Sequence, residues 1–161
     1  MKTLNINIPI EIRQFDELND ADKALIERAM KATENAYAPY SQFHVGACLR
    51  LADGTELIGA NQENAAYPSG LCAERTAIFA AQAQHPTLPV TALAIAAKNT
   101  SGEFTKIPTA PCGACRQAIL EIEDRYQQPI RILLYGTDGT YIVKSIKDLL
   151  PLCFVGASLE A

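Results

Sequence analysis

Val90-Thr-Ala-Leu-Ala-Ile-Ala-Ala-Lys98, then Pro111-Cys-Gly-Ala-Cys-Arg-Gln117, then Ile130-Arg-Ile-Leu-Leu-Tyr135, are the stretches that decide the fold. The first and last are continuous apolar runs of strand length, the pattern of strands covered on both faces. Between them, Pro111 opens a helical period that carries Cys112, Ile119, Leu120 and Ile122 and runs to about Asp124. Strand, helix and strand in that order make a βαβ unit. The spacing therefore predicts an α/β chain with a partly parallel sheet and helices packed on its faces.

Upstream, Gly70 precedes a second helical run, Leu71, Ala73, Ala77, Ile78 and Ala81, and residues 61–70 read as a polar loop leading into it. Before that loop, Val45, Ala47, Leu49 and Leu51 alternate, Asp53-Gly54 turns, and Leu57-Ile58 begin the return strand of a hairpin. Asp20 is the expected cap of an earlier helix in which Leu25, Ile26, Ala29, Met30, Thr33 and Tyr37 recur until Pro39. Leu4, Ile6, Ile8 and Ile10 alternate as a strand, expected at a sheet edge because Pro9 cannot donate to a central ladder. Downstream, residues 99–110 form a loop, Asp138-Gly139 turns the chain into Tyr141-Ile142-Val143, and Ser145 to Leu150 reads as a short last helix.

A chain of 161 residues suits one domain spanning 1–161, and no repeat, linker or low-complexity tract divides it. The formal charge is −4 and no two Lys or Arg residues adjoin, so no basic stripe would track a phosphate backbone and a nucleic-acid partner is not expected. The longest apolar run, Val90 to Ala97, is too short to span a bilayer, and no signal peptide opens the chain. A cytoplasmic protein is expected. The five cysteines would then stay reduced, free to bind metal.

Cys72-Ala73-Glu74 together with Cys112 and Cys115 supplies three thiolates for zinc and a neighbouring carboxylate. A structural zinc would be closed by a fourth ligand from another Cys or His pair, whereas a catalytic zinc keeps one position open. Cys112 and Cys115, three apart, share one face of a helical turn, and Glu74 projects from a first turn that begins at Cys72. Helix N-termini favour thiolates. A Cys-x-x-Cys alone could be a redox pair, but such a pair needs neither Cys72 nor Glu74. Cys48, on or beside an apolar strand face, and Cys153, in an apolar tail, read as packed thiols. His44 reads as a surface residue and His85 as a helix-end residue.

The combination is the known signature of zinc deaminases of nucleobases, and four motifs in order narrow it. Tyr37-Ala-Pro-Tyr-Ser-Gln-Phe43-His-Val-Gly-Ala47, Asn61-Gln-Glu63-Asn-Ala-Ala-Tyr67, Cys72-Ala-Glu-Arg-Thr-Ala77 and Pro111-Cys-Gly-Ala-Cys-Arg-Gln117 occur in that order. With Asp138-Gly-Thr-Tyr-Ile-Val143, Leu149-Leu-Pro151 and Phe154, the chain resembles the small homotetrameric cytidine deaminases over about residues 20–155. Residues 1–19 are left as an N-terminal extension.

The resemblance implies a three-layer α-β-α fold with a mixed central sheet and helices on both faces. It implies zinc held by Cys72, Cys112 and Cys115, with Glu74 shuttling protons. Asn61 and Glu63 would grip the ribose, Phe43 would pack on the pyrimidine, and the backbone of Ala73 would read the base edge. Phe154 would enter a neighbouring subunit's pocket in a homotetramer, with Tyr67 near that interface. The implied reaction converts free cytidine and deoxycytidine to uridine and deoxyuridine in pyrimidine salvage, hydroxide on zinc adding to C4. Three thiolates leave the zinc site negative, so Arg75 and Arg116 are expected to donate to the sulfurs and withdraw charge. Competing readings are a deaminase of a nucleoside antibiotic or modified cytosine, a nucleic-acid-editing deaminase, and a non-catalytic zinc-binding domain.

Overall fold

The computed structural model describes residues 1–159; positions 160 and 161 of the expected 1–161 domain lie outside the described residues. In chain order the elements are β1 (Glu11–Arg13), α1 (Asp20–Ala32), β2 (His44–Leu51), β3 (Glu56–Ala60), α2 (Ala73–Gln84), β4 (Val90–Lys98), α3 (Gly113–Tyr126), β5 (Arg131–Leu134) and β6 (Thr140–Val143). The strands make one sheet in the order β1-β6-β5-β4-β2-β3. Among the described residues only the neighbours β4 and β5 run parallel, with Ala92 opposite Arg131 and Ile95 opposite Leu134, and the other neighbours are antiparallel. The expected βαβ unit is therefore β4-α3-β5, inside a mixed sheet.

Helices cover both faces, and the side chains of β4 show how. On one face Ala92, Ala94 and Ala96, with Cys48 and Leu133, meet Leu25, Ile26 and Ala29 of α1; the small residues let that helix lie close. On the other, Leu49, Leu93, Ile95, Ile132 and Leu134 fill the space beneath Ala77, Ile78 and Ala81 of α2 and Ile119 and Leu120 of α3. These side chains are almost fully buried, and removing apolar surface of this extent from water is the main force that holds the layers together.

Two sequence expectations shift. The strand expected over 4–10 forms instead at Glu11–Arg13, pairing with Thr140–Ile142 of β6. Apolar alternation needs a partner ladder, and β6 is only four residues long, so Leu4 and Ile6 stay exposed. The edge position itself is as expected. The cap of α1 is Asn19, whose side-chain oxygen accepts from the Asp22 N–H at 2.9 Å, and Asp20 is the first helical residue. That helix ends at Ala32 and tightens into a 3-10 turn over Thr33–Asn35, short of Tyr37. The short helix expected over 145–150 is a 3-10 turn, Ile146–Leu149, capped by Ser145, and another 3-10 turn follows it at Gly156–Leu159. Among the described residues no helix is long and apolar enough to cross a membrane.

Candidate active site

Cys72 and Cys112 are the N-cap residues of α2 and α3, both in extended backbone. Their sulfurs lie 3.9 Å apart, and Cys115, one turn into α3, completes a trio whose sulfurs are all within 4.8 Å of one another. Zinc about 2.3 Å from each sulfur in a tetrahedron would separate sulfurs by about 3.8 Å, so the trio fits that ion. Among the described residues no fourth His, Cys, Asp or Glu belongs to the cluster. The donors are soft, and the helix N-termini behind them stabilise negative charge.

Each group's surroundings set its proton affinity. A hydrogen bond from Cys115, opposed by burial and aided by Arg75, brings the Cys72 thiol down to about 5. The same bond makes Cys115 hold its proton far above the usual thiol range. Glu74, next to Ala73 in the first turn of α2, is 4% exposed. Burial raises its carboxyl above the ordinary range and the neighbouring Cys72 adds to the rise.

The two arginines part company. Arg75 donates from Nη2 to Cys72 Sγ at 3.9 Å and is held more firmly protonated by that sulfur. Arg116, expected to do the same, donates from Nε to the Pro111 carbonyl at 2.8 Å and from Nη1 to the Leu149 carbonyl at 2.6 Å. Those bonds go to neutral oxygens, so charge withdrawal from a thiolate is not what its geometry provides.

A cleft of about 420 Å³ opens beside the sulfurs, lined by Tyr40, Asn61, Glu63, Tyr67, Cys72 and Arg75 among others. Asn61 accepts from the Val45 N–H at 2.8 Å and donates to the Phe43 carbonyl at 2.9 Å. One N–H and one lone pair of its amide remain for a ligand. Glu63 accepts from Tyr40 and Ser41 N–H groups and from the Ser41 hydroxyl, and that hydroxyl above all holds its carboxyl below the ordinary range. Both residues thus brace the 40–45 segment, whatever else they contact.

Phe43 is half-buried on that segment. Ala73 is buried as the first residue of α2, where its N–H has no carbonyl within the helix. Phe154 is 57% exposed and lies outside the cleft's lining. Tyr67 is exposed and stacks edge-on with Tyr40, ring centroids 5.7 Å apart.

Sequence reasoning missed Gly59. A Cβ there would lie 2.3 Å from the Ala73 carbonyl and 2.5 Å from the Ala77 N, so the first turn of α2 rests directly on bare β3 backbone. A glycine inside a strand is the signal that could have disclosed this close approach.

The family model for the cytidine and deoxycytidylate deaminase zinc-binding region matches residues 19–127. The chain belongs to the cytidine and deoxycytidylate deaminase family. As a member of this family of zinc hydrolases it is an enzyme with zinc as cofactor, and the sulfur trio is the cluster that could hold it. The chain is 39% identical over 136 residues to a cytidine deaminase of Halalkalibacterium halodurans, covering 84% of this chain and 96% of that one. It is 49% identical over 102 residues to a cytidine deaminase of Sporosarcina psychrophila, covering 63% and 69%. The crystal structure of a cytidine deaminase from Burkholderia pseudomallei superposes with a TM-score of 0.70 at 44% identity, covering 81% of this deaminase family member and 97% of that chain. One from Mycobacterium tuberculosis gives 0.64 at 31% identity, covering 85% and 98%.

Proposed function

We propose that the protein hydrolytically deaminates free cytidine and deoxycytidine to uridine and deoxyuridine, in pyrimidine salvage in the cytoplasm. The observation that carries this reading is a buried carboxylate, Glu74, two residues after Cys72 of a three-sulfur cluster that has no fourth protein ligand among the described residues. Cys72, Cys112 and Cys115 would hold the zinc, which when bound would supply a water that is nucleophilic at neutral pH. Glu74 takes one proton from the attacking water as the C4–O bond forms. It delivers that proton to N3, then takes the proton of the C4 hydroxyl and passes it to the amine nitrogen as the C4–N bond breaks and ammonia leaves. Burial, which favours its neutral form, suits a carboxyl that must hold a proton between those two transfers.

The remaining groups place the substrate. Asn61 and Glu63, at the cleft wall, keep bonding capacity for the ribose hydroxyls; Phe43 packs on the pyrimidine ring and the Ala73 backbone reads its edge. Arg75 draws negative charge from Cys72 and so eases loss of the water's proton. The whole chain acts as a single deaminase domain with residues 1–19 as an extension. It assembles as a homotetramer in which Phe154 enters a neighbouring pocket near Tyr67. The exposure of both rings, 57% and 75%, supports their meeting another copy.

The test is direct: incubate the zinc-loaded protein with cytidine and follow uridine and ammonia. Stoichiometric release of both is the expected result, and no ammonia at full zinc loading would overturn the reading. Turnover of single-stranded oligonucleotides in preference to the nucleoside would point instead to an editing enzyme.

A further inference from the structure

We propose that Arg116 is a positioning residue that fastens the C-terminal segment to the first turn of α3, so that the metal-bearing turn and the segment carrying Phe154 hold one geometry. A guanidinium is a rigid planar fork, and here its two prongs take the Pro111 and Leu149 carbonyls at 2.8 and 2.6 Å. Pro111 immediately precedes Cys112, and Leu149 closes the 3-10 turn Ile146–Leu149. The fork therefore sets the distance between the backbone entering the sulfur cluster and the backbone leaving β6.

Two further ties give the segment its course. Glu123, in the second half of α3 and 4% exposed, accepts from the Ile146 N–H at 2.9 Å and the Ser145 hydroxyl at 2.7 Å. Gln117, beside Arg116, donates to the Phe154 carbonyl at 3.0 Å. Residues 145–154 thus run back along α3 from Glu123 towards its first turn, with Leu149, Leu150 and Cys153 packed on the core. Of these ties the Arg116 fork is the one that also grips the turn bearing Cys112.

The kinetic readout rests on the deaminase reading; the structural one does not. Full-length zinc-loaded protein is compared with Arg116→Lys, Arg116→Ala and Gln117→Ala for backbone hydrogen exchange over 146–155, zinc affinity against a chelator, and KM and kcat for cytidine. Lysine keeps the charge and loses the fork. Both Arg116 variants are expected to exchange about tenfold faster over 147–155 and to bind zinc about tenfold more weakly. KM should rise more than kcat falls, since Phe154 loses its mooring.

Gln117→Ala should loosen 153–155 alone. Wild-type exchange and KM in Arg116→Lys would overturn the proposal, because charge would then suffice. Should both Arg116 variants fail to fold, unchanged protection at 153–155 in Gln117→Ala overturns the coupled strap. Inactivity of the unaltered chain towards cytidine would instead refute the function and leave the exchange result to decide this inference.

Discussion

Glu74 shows how much one buried carboxylate can be asked to do. In the proposed reaction it both takes and delivers protons, so Glu74→Gln should keep fold and zinc while turnover falls by about a hundredfold or more; metal analysis beside a cytidine assay checks both halves. In the same proposal Arg75 acts at one remove, through Cys72 Sγ. Arg75→Ala should retain zinc yet turn over more slowly, by roughly tenfold, and equal kcat at equal metal content would end its charge-withdrawing role. Asn61 was legible as a ribose ligand, and the structure shows that its amide also joins Phe43 to Val45. Arg116 was misread because its neighbour in sequence is a ligand, and adjacency along a helix does not say which way a side chain points.

At the scale of elements, the site exists because two helices begin side by side. The βαβ unit, both helix starts and the hairpin were readable from periodicity and turn residues. That the first turns of α2 and α3 meet was not, since no local pattern encodes how close a helix sits to a sheet. Gly59 is what permits it for α2. Gly59→Ala should push the first turn of α2 off β3, costing about 1–3 kcal/mol, lowering the melting temperature by several degrees and weakening zinc binding. A thermal melt and a chelator titration measure the two effects, and a wild-type result in both would show the contact to be slack. The N-terminal alternation failed as a strand over 4–10 for the reason that β6 offers no ladder upstream of Glu11, so deleting residues 1–9 should leave the melting temperature within about 2 °C.

For the whole molecule, metal and assembly are the outstanding measurements. Zinc that binds the folded protein only must stabilise it, so chelation should lower the melting temperature and added zinc restore it. Sedimentation should give four times the mass of one chain, and Phe154→Ala should raise KM without changing that mass; a fully active monomer would contradict a shared pocket.

The amino-acid order alone determined the α/β class, the family, and the three cysteines and neighbouring acid as the candidate metal cluster, because these depend on periodicity and on short local motifs. Only the tertiary structure decided which arginine faces a sulfur and which grips backbone, what braces Asn61 and Glu63, and where the first strand begins. Each of those turns on which groups come within hydrogen-bonding reach across elements distant in sequence, and that distance is set by packing of the three layers.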